Sequence, residues 1–107
     1  MEKTVIGLVE KIQINGREVI ARIDTGAEHS SLDKDFATTL NLGPVITTIS
    51  IKSANGKEKR PVVEAEIKIK NKTLNSRFNI ADREHMKYKA LIGQNILKEG
   101  FLIDPSK

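Results

Sequence analysis

Residues 20–27 read Ile20-Ala21-Arg22-Ile23-Asp24-Thr25-Gly26-Ala27, and the fold depends on how that run is read. Val19 to Ile23 is rich in β-branched residues, which pack well on a pleated, half-buried surface. The run stops abruptly at Asp, Thr and Gly. A carboxylate is therefore carried on a tight turn at the end of a strand. Gly26 leaves the backbone open to close approach by a substrate or a second chain, and the Thr25 hydroxyl can hydrogen-bond across an interface. On its own the tripeptide is also what a type I turn with Asp in its first position shows, so its surroundings must decide.

Upstream, Leu8 to Ile14 alternates roughly, and Asn15-Gly16 is a strong hairpin signal. Glu18 to Ile23 is then the second arm of a hairpin that delivers the chain to Asp24. Downstream, Ser30 to Asp33 reads as a short strand leading to a helix cap. Lys34 to Leu42 places Phe36, Ala37 and Leu40 at helical spacing, with Asp33 able to cap the start. Gly43-Pro44 ends it. Val45 to Ile51 is β-branched, residues 52–60 are polar, and Val62 to Ile69 puts Val63, Ala65, Ile67 and Ile69 on one face. Residues 45–69 thus form a long hairpin with Asn55-Gly56 at its tip. A turn at Asn71-Lys72, a strand over Thr73 to Ile80, a short buried strand at Ala90 to Gly93, one or two helical turns over Gln94 to Glu99 and a last strand at Phe101 to Ile103 complete the chain. The class is all-β with one or two short helices, in a single domain over residues 1–107.

The composition agrees. The 107 residues are 38% hydrophobic and 30% charged, a balance between that of a membrane protein and that of a disordered chain. No apolar run approaches the roughly 18 residues that mark a spanning helix. Val5 to Val9 is too short for a signal-peptide core. No membrane contact and a cytoplasmic location are the expectation. The absence of cysteine excludes disulfides, thiolate zinc sites, iron–sulfur clusters and a Cys nucleophile. The formal charge of +4 is spread over interspersed Lys and Glu, with one Tyr and three Phe to stack bases, so nucleic acid is not expected as a partner.

A wider set of residues carries a resemblance. Ile20 to Ala27, the neighbouring Ser30-Ser31-Leu32 and the later Ala90-Leu91-Ile92-Gly93-Gln94-Asn95-Ile96-Leu97 together resemble the retropepsins, the single-domain aspartic proteases typified by retroviral enzymes. The likeness covers about residues 8 to 104. It implies a closed β-barrel with a flap hairpin. Five segments in order are similar to a microbial family of retropepsin-like core labelled an ATP-dependent zinc protease and associated with glutamate-ligase genes. They are Ile20 to Ala27, Arg60 to Glu64, Ala81 to Tyr88, Leu91 to Gly93 and Phe101 to Ser106. That label meets little support in the residues. His29 and His85 are the only histidines, there is no H-E-x-x-H, and no glycine-rich phosphate loop is present. No cofactor and no metal are expected, although Glu28-His29 beside Asp24 leaves a metal in a dimer open. Retroviral enzymes have Arg after the second glycine, paired with an acidic residue. Here Gln94 and Glu28 take those places, and a Gln–Glu hydrogen bond is the expected substitute.

The resemblance implies an aspartic-type peptidase. Asp24, Thr25 and Gly26 are its expected catalytic triplet. Ala27 and Glu28, with Ala54, Asn55 and Gly56 of the flap, are its expected substrate-binding residues. Two carboxylates must share one proton in such a site, and one Asp-Thr-Gly occurs in the chain. A homodimer acting on a peptide or protein substrate follows, with the terminal strands expected to pair across its interface. Two alternatives stay open: a non-catalytic peptide-binding module of the same fold, and a metal-dependent peptidase. The lysines and arginine of the hairpin (Lys52, Lys57, Lys59, Arg60, Lys68, Lys70) would suit an acidic substrate or merely solvate a ribbon.

Overall fold

The structure, a computed structural model, describes residues 2–53 and 56–107. In chain order its elements are β1 (Thr4–Ile6), β2 (Val9–Ile14), β3 (Arg17–Ile23), β4 (Ser30–Asp33), α1 (Lys34–Thr39), β5 (Thr47–Ser53), β6 (Gly56–Ile69), β7 (Lys72–Ala81), β8 (Ala90–Ile92), α2 (Gln94–Leu97) and β9 (Phe101–Ile103). The larger sheet runs β2-β3-β8-β4-β7-β6-β5, and β2 also pairs with β6. The first six of these strands therefore close on themselves into a barrel, as expected, which leaves no open edge among them. β5 extends beyond the closure as the outer arm of the β5–β6 hairpin.

Period-2 alternation produces the core. On β6, Val63, Ala65, Ile67 and Ile69 are buried while Glu64, Glu66 and Lys68 are exposed. Ile12 and Ile14 of β2, Leu32 of β4, Phe78 of β7 and Ile92 of β8 meet them inside the barrel. Each such side chain contributes roughly 1.5–3 kcal/mol on leaving water. The β2–β3 turn has Asn15 at φ 46 and Gly16 at φ 84, the pair of positive values that a type I′ hairpin requires. Asn15 also holds the barrel seam. Its N–H donates to the Glu66 carbonyl and its Oδ1 accepts the Glu66 N–H, both at 2.9 Å.

Asp33 caps α1 as read, accepting the N–H groups of Asp35 and Phe36 at 3.1 and 3.3 Å. The helix is shorter than the periodic pattern, ending at Thr39. The β6–β7 turn lies at residues 70–71, with Lys70 at φ 56, one residue before its expected place. Within the chain the terminal strands β1 and β9 pair with each other, in parallel, with Thr4 opposite Phe101 and Ile6 opposite Ile103. Asp104 N–H donates to the Ile6 carbonyl at 2.8 Å and extends the ladder. Val5 and Leu102, which face each other in this register, stay exposed.

Candidate functional site

Asp24 follows β3, and its position is set by β8. The two strands run parallel with Ile23 opposite Ile92, and the ladder continues one step as Asp24 N–H donates to the Ile92 carbonyl at 2.9 Å. The chain after β8 then crosses beneath the turn. Gln94 N–H donates to the Ala27 carbonyl at 2.7 Å and Asn95 N–H to that of Glu28 at 3.2 Å. Gly93 lies at the crossing, where a Cβ would come within 2.2 Å of the His29 carbonyl oxygen and 2.7 Å of that of Ala27. Only glycine lets these backbones approach so closely. Gly93 N–H donates to Ser30 Oγ at 2.9 Å, and Ser30 Oγ donates to Asn95 Oδ1 at 2.7 Å. The amide of Asn95 reaches on to the Arg77 carbonyl at 3.0 Å. The turn thus stands on a hydrogen-bonded base.

The Asp24 carboxylate is partly exposed. Its Oδ1 accepts the Gly26 N–H at 3.0 Å, an Asx turn that holds the side chain over its own loop. Thr25 and Gly26 are exposed on this turn. The expected Gln94–Glu28 hydrogen bond is not formed. The Gln94 amide instead donates to the Thr25 carbonyl at 2.8 Å, because a short neutral amide satisfies itself on the nearest backbone acceptor. Glu28 stands 4.0 Å from His29 Nε2. Among the described residues, no three His, Asp or Glu side chains come together as metal ligands, so within one chain they do not fit a zinc site.

Two grooves flank the turn. The larger, about 500 Å³, runs from Ala27, Glu28 and His29 to Ser50, Ile51 and Lys52 of β5, over a floor of Ser31, Asn79 and Leu91. The hairpin therefore bounds it, with Arg60 contributed by β6. Asp24 lines the second, about 280 Å³, with Arg22, Met86, Lys87 and Tyr88. Arg83 and Leu91 belong to both. The substrate-binding expectations Ala54 and Asn55 lie outside the described residues. Gly56 opens β6 at φ 107.

The floor is polar. Asn79 Oδ1 accepts from Ser31 Oγ at 2.8 Å and from Arg60 Nη1 at 3.1 Å. Arg60 Nη2 pairs with Glu58 at 3.1 Å, and its buried Nε has no partner among the described residues. Arg83 is only 8% exposed. Its Nε donates to the Tyr88 carbonyl at 3.0 Å, and among the described residues no carboxylate lies within ion-pair distance of its side chain. Burial, then the neighbouring Arg60 and Arg22 cations, hold the Arg83 guanidinium below the usual arginine range, with Asp33 opposing them. Arg22, Ser31, Asn79 and Arg83 are not among the site residues expected from the sequence, although Arg22, Ser31 and Arg83 lie in segments that carry the resemblance. Arg83 sits in an exposed-looking run, Asp82-Arg83-Glu84-His85, and nothing local marks it as buried.

Residues 11–99 match the family described as gag-polyprotein putative aspartyl protease. Among solved structures, the chain is similar to EIAV protease complexed with the inhibitor HBY-793, at 23% identity over 85% of each chain and a TM-score of 0.73. It is also similar to a protein of unknown function (DUF785) from Legionella pneumophila, at 23% identity over 97% of this chain and 95% of that one, with a TM-score of 0.69. At these identities the likeness is one of fold. No curated protein matches the chain.

Proposed function

This chain belongs to the gag-polyprotein aspartyl protease family, and from that premise we propose that it is an aspartic-type peptidase that works as a homodimer, each chain supplying one Asp24. The observation that carries the reading is the placement of Asp24. A carboxylate is fixed on a turn beside a groove, with one oxygen committed to the Gly26 N–H, and a two-fold axis would set a second copy opposite it. Like charges about 3 Å apart cannot both ionise, so the pair would share a proton. The ionised member takes a proton from water as the water attacks the peptide carbonyl. The protonated member donates to the carbonyl oxygen. Thr25 and Gly26 hold the turn, Ala27 and Glu28 line the larger groove, and the β5–β6 hairpin acts as a flap over bound substrate.

Asp24→Asn tests this. It is nearly isosteric and removes the proton acceptor, so hydrolysis should fall by about 10²–10⁴-fold while the circular dichroism spectrum is unchanged. Activity should survive a chelator and respond to a statine-type inhibitor, whose hydroxyl stands where the attacking water would be. Near-wild-type turnover in the variant would remove Asp24 from the mechanism. Chelator-sensitive activity restored by zinc and indifferent to Asp24→Asn would instead establish the metal-dependent reading. An intact dimer that binds peptides but hydrolyses none would establish the binding module.

The substrate is a peptide with acidic side chains. The observation behind this is Arg83, a buried cation between the two grooves whose neighbours Arg22 and Arg60 are also cations. A carboxylate entering there would meet the Arg83 guanidinium, which among the described residues has no carboxylate within ion-pair distance.

A further inference from the structure

We propose that Asp33 is a positioning residue for the substrate: it clasps the loop of residues 82–89 across the end of β4 and so sets where that loop's side chains stand beside Asp24. The inference rests on reading the Asp24 groove as a substrate site.

The topology creates the need for a clasp. β4 lies between β7 and β8, parallel to the first and antiparallel to the second. The connection from β7 to β8 must therefore pass over the end of β4. Asp33 is the last residue of that strand and is 1% exposed. Both ends of the loop are tied to it. Its Oδ1 accepts the Arg83 N–H at 2.9 Å, and its own N–H donates to the Lys89 carbonyl at 2.8 Å. Its other carboxylate oxygen, Oδ2, is occupied by the N-terminus of α1. Inside the loop, Arg83 Nε donates to the Tyr88 carbonyl and Met86 N–H to the Arg83 carbonyl. The loop is thus a closed unit, and its Arg83, Lys87 and Tyr88 line the groove that holds Asp24. One other side-chain tie at this junction, Lys34 to Asp82 at 3.8 Å, is an exposed ion pair and is weak for that reason.

A carboxylate suits both tasks because it offers an acceptor on each side. Serine keeps the helix cap but is too short to reach the Arg83 N–H as well. Asparagine has one acceptor oxygen and turns an NH₂ either toward the Arg83 N–H or toward the N–H groups of α1. The test compares native Asp33→Ser protein with wild type by amide hydrogen exchange and by steady-state kinetics on an acidic peptide. Residues 83 and 86 should exchange about tenfold faster, with the amides of residues 38–40 in and after α1 nearly unchanged. KM should rise about tenfold with kcat within about twofold, since binding is loosened and the aspartates are untouched. Asp33→Asn should show the same split and carries the test if the Ser variant does not fold. Unchanged exchange in the loop overturns the clasp. Faster loop exchange with a wild-type KM overturns the positioning role. If the wild-type protein hydrolyses nothing, the peptidase reading fails by itself, and the exchange comparison still decides whether Asp33 holds the loop.

Discussion

Gly93 shows how little freedom a single position under the Asp24 turn has. Its neighbours are backbone carbonyl oxygens of Ala27 and His29, not side chains that could swing aside. Gly93→Ala must therefore move one of two strand ends. Overpacking of this kind costs about 1–3 kcal/mol or more, which for a domain of this size lowers the melting temperature by roughly 5–20 °C. The displaced atoms lie in the loop that carries Asp24, so peptidase activity should fall further than stability alone explains. Thermal melts and turnover at a temperature where the variant is fully folded would separate the two. A melting temperature equal to wild type would show that the crossing has more slack than its distances indicate. Arg22 and Arg83 teach a different lesson at this scale. Each looks like a surface cation in sequence and both line the Asp24 groove, but Arg22 is exposed on β3 whereas Arg83 is buried.

Among the elements, the β5–β6 hairpin and α1 make separable predictions. Ser50, Ile51 and Lys52 of β5 and Arg60 of β6 bound the larger groove. A statine-type inhibitor lying in it should slow amide exchange in residues 50–52 and 57–60, measured by mass spectrometry. Equal exchange with and without inhibitor would mean that the hairpin does not act as a gate. At α1, the Asp33 carboxyl lies below its ordinary value. Burial pushes it up, but hydrogen bonds from the Arg83 and Phe36 N–H groups, the Lys89 charge and the Asp35 N–H together outweigh that. A depressed folded-state pKa contributes stability above the unfolded value, and that stability is lost as pH falls through the folded one. Denaturant midpoints should therefore drop as the pH falls from about 5 through and below the ordinary aspartate value of about 4 in wild type, and drop less in Asp33→Asn, which has no such proton to take up. An identical drop in both would assign the acid sensitivity to other carboxylates.

The prediction for the whole molecule concerns stoichiometry. One chain holds one Asp-Thr-Gly, so a two-carboxylate mechanism needs two chains. Sedimentation at micromolar concentration should show a dimer, and a clean monomer would remove the dyad along with it. Mixing equal amounts of wild-type and Asp24→Asn chains to equilibrium should leave about a quarter of the activity of the same total amount of wild type if both aspartates are required, about three quarters if one per dimer suffices, and about a half if each chain works alone. The exposed Val5 and Leu102 on the β1–β9 sheet are apolar surface that a second copy would cover. Because β1 and β9 already satisfy each other along one edge, the partner would have to add at an outer edge or pack on the face.

What the sequence determined by itself was local. Alternation placed the inward faces of β2 and β6, Asn15-Gly16 set the first hairpin, Asp33 announced a helix start, and Asp24-Thr25-Gly26 marked a carboxylate on a turn. Each of these is written within a few residues, in side-chain periodicity or in the φ values that only certain residues tolerate. The tertiary structure alone decided which residues share space. Asp24 shares a groove with Arg83 and Leu91, and Asp33 is hydrogen-bonded to Arg83 and Lys89, across 50 residues or more. Those meetings depend on strand order, with β4 inserted between β7 and β8 and β8 laid parallel to β3. Period-2 patterning tells a strand which face to bury but not which strand lies beside it. The same gap explains the terminal strands, whose apolar residues call for a partner without naming it, and Gln94, whose amide took the nearer carbonyl over the expected carboxylate.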